Sequence, residues 1–283
     1  MVALAPSVRV VELPLMSIPL CAHLGFQFQE FPEEERFAQA ARAGFRGVEW
    51  PNPYAHPPAR LRRWLDTHGL HWTQLALPMG QAGEKGLTAL PGREAEFRAG
   101  LQQAIEYALV LGARWLHPMA GKLPPGLRWE DPAVQHTYLN NVAHTVHTAA
   151  QHGLGTLVEV IAEAEVPGYA LCTYERAEEV LTALAPQPPF LLLDAYHAQL
   201  LTGDAIAVAR RFAGRIGHVQ IADHPGRHEP GTGTINFDAL FATLQAGGYH
   251  GWAGCEYRPA TTTLDGLHHL SHYLEHPAND HRH

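Results

Sequence analysis

The stretch Ala43-Gly44-Phe45-Arg46-Gly47-Val48-Glu49-Trp50 ends a helical run on a glycine, enters a short apolar segment and finishes next to a carboxylate. A glycine there can take the left-handed conformation that closes a helix, which a residue bearing a Cβ resists. The same punctuation recurs at His68-Gly69-Leu70, Leu111-Gly112-Ala113, His152-Gly153-Leu154 and Gly247-Gly248-Tyr249. An apolar run follows each one, at residues 45–50, 70–77, 113–119, 156–161 and 251–256, and runs 18–24, 190–194 and 216–221 fit the same role. The chain therefore reads as about eight short strands alternating with as many helices. Nearly continuous apolar strands covered by helices belong to a parallel sheet.

An open doubly wound sheet has fewer strands and commonly carries a glycine-rich phosphate loop after the first. Here Leu24-Gly25-Phe26 leads to no GxGxxG. A closed (β/α)8 TIM barrel of the α/β class fits better, and 283 residues accommodate one without an internal boundary. The expected organisation is an N-terminal extension at 1–17, a single barrel domain at 18–275 and a His-rich tail at 276–283. The longest loops, 78–92, 120–130 and 222–235, all follow strands, and that face of a barrel holds active sites.

Composition narrows the partners. A net charge of −8 works against binding a phosphate backbone, so no nucleic-acid partner is expected. No apolar stretch is long enough to span a membrane, and Arg9 and Glu12 interrupt the start of the chain where a secretory signal would need a clean apolar run. Cys21, Cys172 and Cys255 are odd in number and far apart, which suggests neither a disulfide framework nor a cysteine zinc site. These features predict a reduced, cytoplasmic protein and leave a homo-oligomer open. Of the twenty histidines, His144 and His147 fall in a helical pattern, while His268, His269, His272, His276, His281 and His283 read as a solvated end.

Polar residues close four of the apolar strands: Leu157-Val158-Glu159, Leu192-Leu193-Asp194, His218-Val219-Gln220 and Gly254-Cys255-Glu256. These are the fifth to eighth strands, so the side chains can converge at one barrel mouth. Carboxylates buried together repel unless a cation or a proton holds them. Three carboxylates and an amide oxygen suit a divalent ion such as Mg2+ or Mn2+. The alternative is that each residue only caps the helix after it or pairs with a surface base. Glu49 also ends a strand and could belong to the site, but it reads better as a structural carboxylate on the barrel rim. His197, three residues after Asp194, is close enough to face the same cavity. Arg227, in His224-Pro225-Gly226-Arg227-His228-Glu229-Pro230-Gly231, suits bidentate capture of a substrate carboxylate, and Lys122 is a second candidate for anion binding.

Several strings resemble the hydroxypyruvate isomerase family of the xylose-isomerase-like barrel superfamily. They are Gly44-Phe45-Arg46-Gly47-Val48-Glu49, the run from Gly86-Leu87-Thr88-Ala89 through Leu90-Pro91-Gly92-Arg93-Glu94, and Gly217-His218-Val219-Gln220-Ile221-Ala222-Asp223. Glu229-Pro230-Gly231-Thr232-Gly233-Thr234-Ile235-Asn236 and Gly251-Trp252-Ala253-Gly254-Cys255-Glu256-Tyr257-Arg258-Pro259 join them, and the likeness runs from about Cys21 to about Leu267. It implies acid/base glutamates at Glu159 and Glu256, and a metal site of those two with Asp194 and Gln220. The sugar epimerases of the superfamily usually carry histidine at the position of Gln220, which favours the hydroxypyruvate-type branch. Where the family often reads Glu-Pro-Ile-Asn, this chain has Glu159-Val160-Ile161-Ala162, a departure that bears on substrate preference.

The implied activity is interconversion of hydroxypyruvate and tartronate semialdehyde through an enediolate. A divalent metal ion would assist, His197 would bond a substrate oxygen and Arg227 would hold the carboxylate. The alternatives are a 2-oxo-tetronate isomerase, a sugar 3-epimerase and a barrel that merely binds a small acid. From a different class comes an abasic-site endonuclease, which would need a histidine-rich three-zinc site and a basic groove.

Overall fold

The computed structural model describes residues 18–274. The extension expected at 1–17 and the tail expected at 276–283 lie outside them. The strands are β1 Leu20–His23, β2 Gly47–Glu49, β3 His71–Trp72, β4 Gln74–Ala76, β5 Trp115–His117, β6 Gly155–Glu159, β7 Phe190–Asp194, β8 Ile216–Ile221 and β9 Ala253–Cys255. Their order is β3-β2-β1-β9-β8-β7-β6-β5-β4, and the paired strands are parallel.

Only Thr73 separates β3 from β4, so the two ends of that order are halves of one strand and the sheet closes on itself. The first half bonds β2 through Val48↔Trp72, and the second bonds β5 through Gln74↔Trp115. A strand that changes neighbours along its length is what the stagger of a closing barrel produces. Each of the eight apolar runs covers one barrel strand, apart from the first residue of β6, with the third strand interrupted.

The glycine punctuation has its physical counterpart. Gly69 and Gly112 end the helices Pro58–His68 and Glu94–Leu111 at φ 64° and 74°, each donating its N–H to a carbonyl of the last turn. The helices pack their apolar faces on the strands, whose inner and outer side chains are almost all buried. His144 and His147 lie in the helix Pro132–Gln151. Among the described residues, no helix is long and apolar enough to cross a membrane.

The longest connections follow β4, β5, β6 and β8, at 77–93, 118–131, 160–173 and 222–236. They build one mouth of the barrel, above the strand ends that carry the polar residues.

Candidate active site

Glu159, Asp194 and Gln220 are the last or next-to-last residues of β6, β7 and β8, and Glu256 follows β9 by one. Glu159, Asp194 and Gln220 are buried, and the Glu256 side chain keeps 15% of its surface. Asp194 divides its carboxylate. Oδ1 caps the helix Ala195–Thr202 by accepting from the N–H of Tyr196 at 2.8 Å and of His197 at 3.4 Å, while Oδ2 accepts from Arg227 Nη2 at 3.0 Å. The capping alternative thus holds for one oxygen of one residue.

Arg227 Nη2 also stands 3.2 Å from Glu256 Oε2, and its Nε donates to the Glu256 carbonyl at 3.3 Å. Its guanidinium is stacked between the rings of Phe26 and Tyr196, 5.2 Å from each centroid. Arg227 therefore lies at the cluster, but its contacts are with the chain's own carboxylates. His197 is buried behind Asp194. Its Nδ1 accepts from the Ala162 N–H at 3.4 Å, so Nε2 carries the ring proton, 3.6 Å from Asp194 Oδ2. Lys122 lines a cleft of about 410 Å3 with Gly83, Glu84, Arg93 and Leu127.

Two histidines that the reading of strand ends passed over flank the glutamates. His23 ends β1 and sets Nε2 3.7 Å from Glu256 Oε1; His117 ends β5 and sets Nε2 3.6 Å from Glu159 Oε2. Burial lowers them to about 4 and about 3, so both rings are neutral at pH 7. The signal was present in Cys21-Ala22-His23 and Leu116-His117, had imidazoles been weighed alongside carboxylates. Lys85 was also missed. It is held at φ 60° in the loop after β4, and its charge reaches Glu256.

The charge balance of the cluster bears on a metal. Burial, then the charges of Glu256 and Asp194, push the Glu159 carboxyl well above the usual range. Burial pushes Glu256 up to about 8 even though Arg227 pulls the other way. With all three carboxylates ionised, one guanidinium leaves two negative charges unbalanced, and a divalent cation added beside it would balance them. Ligand atoms of Glu159, Asp194 and His197 lie within 4.8 Å of one another and could hold an ion, as could those of Cys21, Glu49 and His218. The first of these groups, two carboxylates with an imidazole, suits a divalent ion.

An unneutralised pair also costs stability. For an acid whose folded pKa is raised, stability is greatest below the unfolded value and falls as pH rises towards the folded one. Glu159→Gln is thus expected to raise the melting temperature of chelated protein at pH 8, by roughly 2–6 °C for a gain of about 1–2 kcal/mol. A melt in EDTA checks this, and a lower melting temperature would contradict it.

Glu49 differs from its expectation in place. It lies inside the barrel, fully buried, and not on the rim. Oε2 receives His218 Nε2 at 2.7 Å and Oε1 receives Gln220 Nε2 at 2.9 Å. Burial pushes its carboxyl up, but the charge and hydrogen bond of His218 outweigh that and hold it at about 2.

The loop bearing Arg227 is organised by Asp223, whose carboxylate is fully buried and accepts from four backbone N–H groups. His224 and Ile235 donate to Oδ1 at 2.9 and 3.0 Å, and Gly231 and Gly233 donate to Oδ2 at 2.9 and 2.8 Å. This holds Arg227 at φ 57°, a conformation a non-glycine residue adopts only when its surroundings impose it. Asp223→Ala is expected to lower kcat/KM about 100-fold by misplacing the guanidinium, with most helical circular dichroism retained. An unchanged kcat/KM would separate the loop from the chemistry.

With this geometry in hand, the chain belongs to the xylose isomerase-like TIM barrel family, whose model matches residues 37–273. Among curated relatives it is similar to the 2-oxo-tetronate isomerase of Cupriavidus necator, 40% identical over 89% of this chain and 97% of that protein. It is also similar to the hydroxypyruvate isomerase of Escherichia coli, 37% identical over 89% of this chain and 98% of that one. A crystal structure described as an AP endonuclease, family 2, from Brucella melitensis superposes with a TM-score of 0.87 at 37% identity, covering 91% of this chain and 100% of that one.

Proposed function

We propose that this chain is an isomerase that interconverts hydroxypyruvate and tartronate semialdehyde by proton transfer between adjacent carbons. The observation that carries the proposal is the pair of strand-end glutamates, Glu159 and Glu256, at one buried cluster in a chain similar to isomerases of such acids. One glutamate takes a proton from C3 of hydroxypyruvate, leaving an enediolate, and the other delivers a proton to C2. The hydroxyl proton moves from the oxygen on C3 to that on C2, so the product is an isomer with no net gain or loss. Neutral His23 and His117 stand beside the two glutamates and can donate to them or to a substrate oxygen. Arg227, with Lys85 near Glu256, supplies positive charge for the substrate carboxylate. His197 steadies Asp194.

The residues that would hold a divalent ion, Mg2+ or Mn2+, are Glu159, Asp194, Gln220 and Glu256. When bound, the ion supplies Lewis-acid stabilisation of negative charge on the substrate oxygens. Three free, buried thiols suit a reducing compartment such as the cytoplasm.

A 2-oxo-tetronate carries the same hydroxy-oxo pair with one more carbon, and the Cupriavidus necator relative makes it the rival substrate. The Brucella melitensis protein's description supplies a rival from another class, DNA cleavage at abasic sites. Carboxylates at the strand ends and a net charge of −8 speak against it. The test is NMR in deuterated water with Mn2+-loaded protein, each acid in turn and an abasic-site duplex as a third arm. Isomerisation of hydroxypyruvate faster than of the tetronate supports the proposal, and the reverse order moves the substrate by one carbon. Cleavage of the duplex with neither acid turned over would overturn it.

A further inference from the structure

Gln220 is the one proposed metal ligand whose two ends differ chemically: its amide oxygen can coordinate a cation and its nitrogen cannot. Something must decide which end faces the mouth. Gln220 Nε2 donates to Glu49 Oε1 at 2.9 Å. Glu49 can only accept while it is ionised, so it receives the nitrogen and turns the oxygen the other way. The other carboxylate oxygen is fixed by His218 Nε2 at 2.7 Å, with the Thr73 hydroxyl 3.4 Å away. Space for this carboxylate comes from Gly254, where a Cβ would overlap Glu49 Oε1. All of these groups are buried, so water does not compete for the amide.

We propose that Glu49, braced by His218, is a positioning residue that fixes the Gln220 amide with its oxygen towards the metal position. The inference rests on the metal site proposed above. Burying an ionised carboxylate inside a barrel is costly unless its partners are well placed. Here those partners are a ligand of the site and the histidine two residues before it on β8, so the carboxylate ties the barrel interior to the mouth.

Glu49→Gln tests this with little change of shape. The introduced amide keeps an oxygen for His218 and presents its nitrogen to Gln220, which must then flip and turn its own nitrogen to the cation. Mn2+ affinity, measured by calorimetry without substrate, is expected to fall roughly 10- to 100-fold, the range typical for groups that orient a metal ligand. Removing the Glu49 charge alone would also weaken cation binding, so the same change is made on Gln220→Met, which has no amide to orient. There the effect of Glu49→Gln is expected to shrink to less than about twofold, since coupled groups are non-additive. An equal loss in both backgrounds, or no loss in the native one, overturns the positioning role while leaving the metal site standing. Absence of Mn2+ binding by the unaltered protein overturns the metal site and this inference together. Should Glu49→Gln fail to fold, Gly254→Ala crowds the same carboxylate oxygen and is expected to weaken Mn2+ to a similar degree; unchanged affinity there counts against the proposal.

Discussion

Glu256→Gln is expected to lower kcat by about 10^3- to 10^4-fold at saturating Mn2+, with KM within a few-fold of the unaltered enzyme. The amide keeps the size of the carboxylate and an oxygen that can face Arg227 Nη2, now 3.2 Å from Glu256 Oε2. What it loses is the capacity to carry a proton between carbon and solvent. Loss in kcat without a matching loss in KM marks a group whose contribution is made in the transition state. Glu159→Gln is expected to be as severe, because an isomerisation needs both a proton taken and a proton given.

The two variants differ in what they retain. Each keeps one glutamate and so one half of the reaction, and deuterium from solvent should enter only at the carbon that glutamate serves. Deuterium at C3 of hydroxypyruvate in one variant, with none in the other, assigns the first base. More than a tenth of normal turnover in Glu256→Gln would sink the two-glutamate scheme.

The barrel was legible because its determinants are local. A helix that ends on Gly69 or Gly112 does so for reasons contained in a few residues, and an apolar run of five or six residues between helices has few other uses in a parallel sheet. The cluster was half legible. Glu159, Asp194, Gln220 and Glu256 stand at or beside the ends of consecutive strands, and strand counting alone sets them along one arc of the mouth. Glu49 was misplaced because the same counting says that a strand end lies on the rim; its carboxylate uses the space left by Gly254, two strands along the sheet. Arg227 was found by its loop chemistry, but its engagement with Asp194 and Glu256 depends on the fold of residues 222–236 around Asp223, which no short pattern encodes.

Removing the metal is expected to abolish turnover, by more than about 10^3-fold, and restoring Mn2+ or Mg2+ is expected to return it. The carboxylates predict a second signature of the same event. Without a metal, Glu256 at about 8 is roughly nine-tenths protonated at pH 7, and Glu159 is held up in the same direction. Carboxylates must ionise to hold the cation, so binding at pH 7 should expel at least about one proton. Calorimetric titrations of Mn2+ in buffers of different ionisation enthalpy read that number directly. It should shrink above pH 8 as Glu256 ionises unaided, and affinity should strengthen as pH rises towards that value. Thermal stability should follow the same sign. The chelated protein loses stability as pH climbs from the ordinary carboxyl range through these raised values, because the unfolded chain ionises first. The loaded protein escapes that loss, so the gap between the two melting temperatures should widen from pH 6 to pH 8. Turnover that survives exhaustive chelation would remove the metal from the mechanism. Metal binding with no proton release at pH 7 would mean that Arg227 already keeps the cluster ionised, and that the cation binds a site prepared for it by the guanidinium.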